Sequence, residues 1–169
     1  MEIDDIGIFR EINETLVRLN DPGALLVAGT SNPNVMTIGW GTLGIIWGLP
    51  IFVVYVRPSR FTHELLETHP EFTVNVPRAD MANEVAICGT KSGRDTDKFV
   101  ECGFTLRPGN KIDVPYIAEC PIHYECRTVH KNTVQHEQLV RKIRAGYYGS
   151  GDWHDVYYGE ILGVYRHNS

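Results

Sequence analysis

Ile51-Phe52-Val53-Val54-Tyr55-Val56-Arg57-Pro58-Ser59-Arg60-Phe61-Thr62 decides how the rest of the chain is read. The first six residues form an unbroken apolar run, rich in β-branched and aromatic side chains. Such a run suits a strand buried on both faces. Pro58 cannot continue a central ladder, so the strand should stop before it. Arg57, Ser59, Arg60 and Thr62 then cluster where a core strand meets a turn. Guanidinium and hydroxyl donors on a rigid strand end suit a phosphate or a carboxylate. A solvated turn with a surface salt bridge would carry the same residues.

Working outward, the chain reads as short strands separated by Gly, Pro and Asn, the pattern of a barrel or sandwich. Upstream, Ala24 to Thr30 and Val35 to Thr42 read as strands about the turn Asn32-Pro33-Asn34, and an apolar loop leads to the central strand. Ile8, Phe9, Ile12, Leu16 and Leu19 give an opening amphipathic helix, ended by Asn20-Asp21-Pro22-Gly23. Downstream, Thr62 can cap a short helix, Phe72 to Val76 is a strand, and Asp80 is placed to cap Met81 to Ile87. Thr96 opens a short helix after the charged loop 90–95, and 103–118 reads as irregular. Ile122 to Val134 is a long strand, Glu137 to Tyr148 a helix, and His154 to Tyr165 the last strand. No repeat or linker interrupts the 169 residues, so a single domain over 1–169 is expected.

Composition narrows the function. The chain is 43% hydrophobic and 22% charged, as an ordinary globule is, and its net charge of −5 disfavours nucleic acid or an anionic membrane as partner. No window approaches the roughly 18 apolar residues of a membrane span. The acidic start MEIDDIGIFREINE lacks a secretory layout, which makes the cytoplasm the default location. In that reducing setting Cys88, Cys102, Cys120 and Cys126 read as free thiols. A zinc site at Cys120, His123 and Cys126 fails on geometry. Six strand residues span roughly 20 Å, and His123 would point away from both sulfurs. No metal is expected.

Gly39-Trp40-Gly41-Thr42-Leu43-Gly44 matches GxGxxG formally. A dinucleotide turn needs a helix opening there, and the next strand follows too closely to leave room for one. Small residues on a donor-rich strand would instead let backbone groups reach the edge of a flat ring. Lys91, Arg94 and Lys98 add cations to Arg57 and Arg60. His154 follows a Gly-rich turn at a strand start, where functional residues concentrate.

These pieces coincide in order. Asn34–Trp40, Tyr55–Thr62, Phe72–Pro77, Ser92–Phe99 and Gly151–His154 with Tyr158–Ile161 resemble the flavin reductase-like, flavoredoxin-type family of FMN-binding split β-barrels. The resemblance implies a mainly β fold, a six-stranded antiparallel Greek-key barrel with added helices. It also implies a homodimer with FMN near the interface. Met36, Thr37, Ile38, Gly39 and Trp40 would lie along the isoalloxazine ring, and Tyr55, Val56 and Arg57 would line the ring or the ribityl chain. Ser59, Arg60 and Thr62 would take the phosphate, with Lys98 a further cation, and His154 would touch ring or substrate. Segment 129–148 resembles a helical insert found in a subgroup. The implied activity is an NAD(P)H-dependent flavin oxidoreductase that passes electrons to a small-molecule or protein acceptor. A flavoredoxin-like carrier reduced by a protein partner is the alternative, and a barrel that has lost its flavin is a third possibility.

Overall fold

The computed structural model describes residues 3–5 and 7–167, with side chains from residue 7 onward. In chain order the elements are β1 (Ile3–Asp5), α1 (Ile12–Asn20), β2 (Ala24–Ala28), β3 (Asn34–Ile38), β4 (Gly41–Ile46), β5 (Leu49–Val56), α2 (Phe61–Thr68) and β6 (Glu71–Val76). They continue with α3 (Ala82–Thr90), α4 (Lys98–Cys102), β7 (Leu106–Arg107), β8 (Tyr116–Ile117), β9 (Ile122–Thr133), a 3-10 turn (His136–Gln138), α5 (Arg141–Tyr147) and β10 (Asp155–His167).

One antiparallel sheet runs β3-β2-β6-β9-β10-β5-β4, with β1 added to β10. Its path holds seven strands, one more than expected. The two edge strands are consecutive in sequence: only Gly39 and Trp40 separate β3 from β4. Three residue steps reach at most about 11 Å. Laid flat, seven strands would hold their edges roughly 29 Å apart. The sheet therefore curls on itself into a barrel split between β3 and β4. The expected single strand over 35–42 is thus two strands on opposite sides of the split. The expected apolar loop after it is a hairpin whose turn, Trp47-Gly48, has φ of +56° and +74°, the left-handed pair that a two-residue hairpin loop requires.

β5 lies between β4 and β10. Phe52, Val54 and Val56 enter the main core with Leu26, Phe72, Tyr124 and Tyr157. Ile51 and Val53 pack on the other side with Val156. A second cluster, including Leu25, Val27, Val85 and Val114, seats α3 and the 103–120 segment on the outer face of β2. Gly159 marks a register shift between β10 and β9. A Cβ there would lie 2.4 Å from Phe72 Cζ, so only glycine fits.

Several local expectations shift. α1 begins at Ile12 rather than Ile8, and Phe9 and Leu16 are exposed while Thr15 and Leu19 face inward. Thr62 does not cap α2 but lies inside it, fully buried. Asp80 makes no cap to α3 and pairs with Arg78. Asp97, not Thr96, caps α4, accepting from the Phe99 and Val100 N–H groups. The 103–118 stretch carries the small β7–β8 ribbon. The helix expected over 137–148 shortens to α5, with Ile143 and Tyr147 exposed. Among the described residues no helix is long and apolar enough to cross a membrane.

Candidate functional site

At the split, the end of β3, the end of β5 and the start of β10 enclose a cavity of about 160 Å³. Met36, Thr37, Ile38, Gly39, Trp40, Tyr55, Arg57, Arg60 and His154 line it. Strand alternation sends Met36 and Ile38 inward to the core. Thr37 turns the other way, and its hydroxyl donates to the Val85 carbonyl of α3. Aromatic rings close one side. Trp40 lies 4.7 Å from the His154 ring and 5.1 Å from Tyr147, centroid to centroid.

His154 is 9% exposed, and burial together with the nearby Arg57 charge lowers its pKa to about 4. It is therefore neutral at physiological pH. Tyr148 Oη lies 2.7 Å from His154 Nδ1, and among the described residues this is the hydroxyl's one acceptor. In the tautomer that carries its proton on Nε2, Nδ1 accepts from this hydroxyl. His154 can serve as a hydrogen-bond donor, but it is not a proton shuttle near pH 7.

The polar end is a smaller cavity of about 90 Å³ that shares Met36 and Arg60 with the first. It adds Asn34, Ser59, Thr62, Lys91, Ser92, Gly93 and Lys98. Lys98 is only 3% exposed. Its ammonium donates to the Cys88 and Lys91 carbonyls, each at 3.3 Å, and burial pushes its pKa down. Arg60 donates to the Gly89 carbonyl at 3.1 Å. Among the described residues neither cation forms an ion pair with a carboxylate. A buried ammonium without an anion is costly, and this pair at a cavity wall suits a phosphate. Thr62 Oγ1 accepts from Asn34 Nδ2 at 2.8 Å, which leaves the hydroxyl proton for a ligand.

Not every expected residue converges. Val56 belongs to the barrel core, because alternation turns it inward between Tyr55 and Arg57; it lines neither cavity. Arg57 borders the ring cavity, but its guanidinium donates to the Asp152 and Tyr147 carbonyls, each at 2.8 Å. Ser59 Oγ donates to Asp152 Oδ2 at 2.6 Å, so its hydroxyl is engaged by that carboxylate. Arg94 pairs with Glu64 and Lys91 with Glu101. Asn34 and Asp152 entered the sequence reading only inside longer motifs and Tyr148 only as the end of an expected helix; none of the three was given a role. Cys120 and Cys126 lie in different core clusters. Elsewhere, His63, Glu67 and Asp155 bring three potential ligand atoms within 4.8 Å of one another. Lys131 Nζ already bridges Glu67 and Asp155 at 2.7 and 3.0 Å.

Residues 17–169 match the family model described as "Flavin reductase like domain". An uncharacterised protein of Archaeoglobus fulgidus is 35% identical over 140 residues, 83% of this chain and 69% of the relative. The solved flavoredoxin from Methanosarcina acetivorans superposes with a TM-score of 0.68 at 27% identity, covering 87% of this chain and 69% of that one. An NADH:FAD oxidoreductase of Streptomyces globisporus superposes at 0.65 with 22% identity, covering 89% and 80%. That last likeness is one of fold.

Proposed function

The chain belongs to the flavin reductase-like family, and on that premise we propose that it binds FMN and works as an NAD(P)H-dependent flavin oxidoreductase. One observation carries the reading: Arg60 and the buried Lys98 line, without a carboxylate partner, a cavity that shares Met36 and Arg60 with a second one walled by strand backbone and aromatic rings. In this reading Arg60, Lys98 and Thr62 hold the phosphate, with Ser59 joining once it releases Asp152. The Met36–Trp40 segment and Tyr55 border the ring, and His154 offers its Nε2–H to ring or substrate. Arg57 positions the 147–152 turn that carries Tyr148 and leads to His154. The bound flavin would supply the redox chemistry, taking reducing equivalents from NAD(P)H and delivering them to a second acceptor. The protein contributes orientation, cations and a proton donor that stays neutral. The reading extends to one flavin-binding domain acting in the cytoplasm as a homodimer. Ile45 and Trp47, about 60% exposed on the β4–β5 hairpin, offer apolar surface for a second copy.

FMN added to the purified protein should survive desalting, and NADH or NADPH should bleach the flavin anaerobically in a single turnover. Retained flavin that neither nucleotide reduces would remove the reductase reading. The likeness to flavoredoxin favours one alternative, an electron carrier served by a protein donor. That carrier would be reduced by a ferredoxin-like protein and not by nicotinamide.

A further inference from the structure

Two cysteines meet beside the polar cavity. Cys88 is fully buried near the end of α3, and Cys102 is the last residue of α4. Both are free thiols, and their sulfurs lie 3.9 Å apart. Cys88 belongs to the second core cluster, whereas Cys102 is half-buried at a helix end. The Cys102 side chain therefore has the freedom to close the gap to the roughly 2 Å of a disulfide.

The stretch these cysteines bracket carries one wall of the polar cavity. Gly89, whose carbonyl accepts from Arg60, follows Cys88 directly. Lys91, Ser92, Gly93 and Lys98 line the cavity itself. Lys98 and Cys102, one helical turn apart on α4, share a face of that helix. Both meet the same residue. Lys98 Nζ donates to the Cys88 carbonyl at 3.3 Å, and Cys102 Sγ faces the Cys88 sulfur. A bond between the sulfurs would close 88–102 into a ring and clamp α4, with Lys98 on it, against the end of α3. Burial raises both thiols, Cys88 to about 12, while the Lys98 ammonium acts in the other direction. Thiolate is scarce at neutral pH, so closure is slow.

We propose that Cys88 and Cys102 form a reversible disulfide that clamps the phosphate side of the cavity and slows the exchange of FMN. The oxidant is hydrogen peroxide, the product of reduced flavin with oxygen. Cys102 Sγ attacks one peroxide oxygen, giving a sulfenic acid and a water. Cys88 Sγ then attacks Cys102 Sγ and expels hydroxide, which takes a proton and leaves as the second water. The two sulfurs lose two electrons in all, the peroxide gains them, and both thiol protons end in water. A small dithiol reverses the bond by exchange. A loop already held by the cross-link loses less freedom when FMN binds, so the oxidised protein keeps its cofactor longer. This rests on the FMN reading and specifies what makes the cofactor resident or exchangeable.

The test compares protein kept in dithiothreitol with protein treated with hydrogen peroxide and desalted. Two thiols should disappear from titration of the unfolded chain, and a digest should yield a cross-linked peptide pair containing Cys88 and Cys102. FMN release on dilution, followed by the recovery of flavin fluorescence, should be about ten-fold slower in the oxidised protein and recover with dithiothreitol. Cys102→Ser should keep the FMN affinity of the reduced protein and abolish both the cross-link and the slowing. No cross-link between these two residues, or a release rate that ignores it, would overturn the inference and leave the FMN reading standing. A cross-linked protein that binds FMN in neither state would overturn the FMN reading, and the inference with it.

Discussion

Lys98→Met separates the two effects of one buried charge, and they have opposite signs. Methionine keeps most of the side-chain volume, so packing changes little. Without ligand, the ammonium is 3% exposed and has only two carbonyl partners at 3.3 Å. Burying an ion costs several kcal/mol, and two long bonds to carbonyls return about 1–3 kcal/mol. The ligand-free variant should therefore be more stable, by about 1 kcal/mol. Burial lowers the folded pKa of Lys98. Its cost is thus present below that value and fades as pH rises towards the unfolded 10.5. The stability gap between parent and variant should close over the same window. With FMN the sign reverses. Removing one partner of a desolvated charge pair costs about 2–5 kcal/mol, a rise in Kd of roughly 30-fold or more. Urea unfolding of the flavin-free proteins measures the first effect, and quenching of flavin fluorescence the second. A variant that loses stability while keeping its FMN affinity would refute the reasoning.

Arg60→Ala should weaken FMN binding by about 1–3 kcal/mol, less than a fully desolvated pair because Arg60 is half-exposed; an unchanged Kd would mean that another residue holds the phosphate. His154 and His167 both have folded pKa values of about 4, set first by burial. Between pH 6.5 and 4 the unfolded chain binds more protons, so stability falls as pH falls, by at most roughly 3 kcal/mol for each histidine. His154→Phe should flatten part of that slope in denaturant titrations across the range, and an unaltered slope would count against a neutral buried His154. Asp97→Ala removes the cap of α4 and should cost about 1 kcal/mol in thermal unfolding. It should also weaken FMN binding, because Lys98 is the first residue of that helix.

The central strand was legible because a continuous β-branched run ending at Arg-Pro has few other structures open to it. The break at Gly39-Trp40 was not, since apolar residues continue across it from β3 into β4. Only the pairing of β3 with β2 and of β4 with β5 reveals two opposite edges. The caps were misplaced for a local reason. Thr62, Asp80 and Thr96 each lie within two residues of the observed boundary, and Ser, Thr and Asp suit caps and turns alike. Apolar spacing in 137–148 indicated a helix but not its burial; the apolar face borders a cavity instead of the core. Within the candidate site, Arg60 and Thr62 stood out by residue type at a strand end, while the phosphate role proposed for them and for Lys98 came from the family resemblance. Val56 was drawn in by its neighbours Tyr55 and Arg57, although alternation sends it into the barrel. Tyr148 and Asp152 act through contacts with Arg57, Ser59 and His154 that only the folded chain brings together.

The central claim is that Arg60 and Lys98 form a phosphate site at the end of a flavin cavity. Comparing the dissociation constants of FMN and riboflavin by fluorescence quenching tests it most directly, because the two ligands differ only by the phosphate. Two charge-assisted contacts predict FMN binding tighter by roughly 100-fold or more at low salt. Equal affinities would contradict the claim and leave the buried Lys98 without its anion.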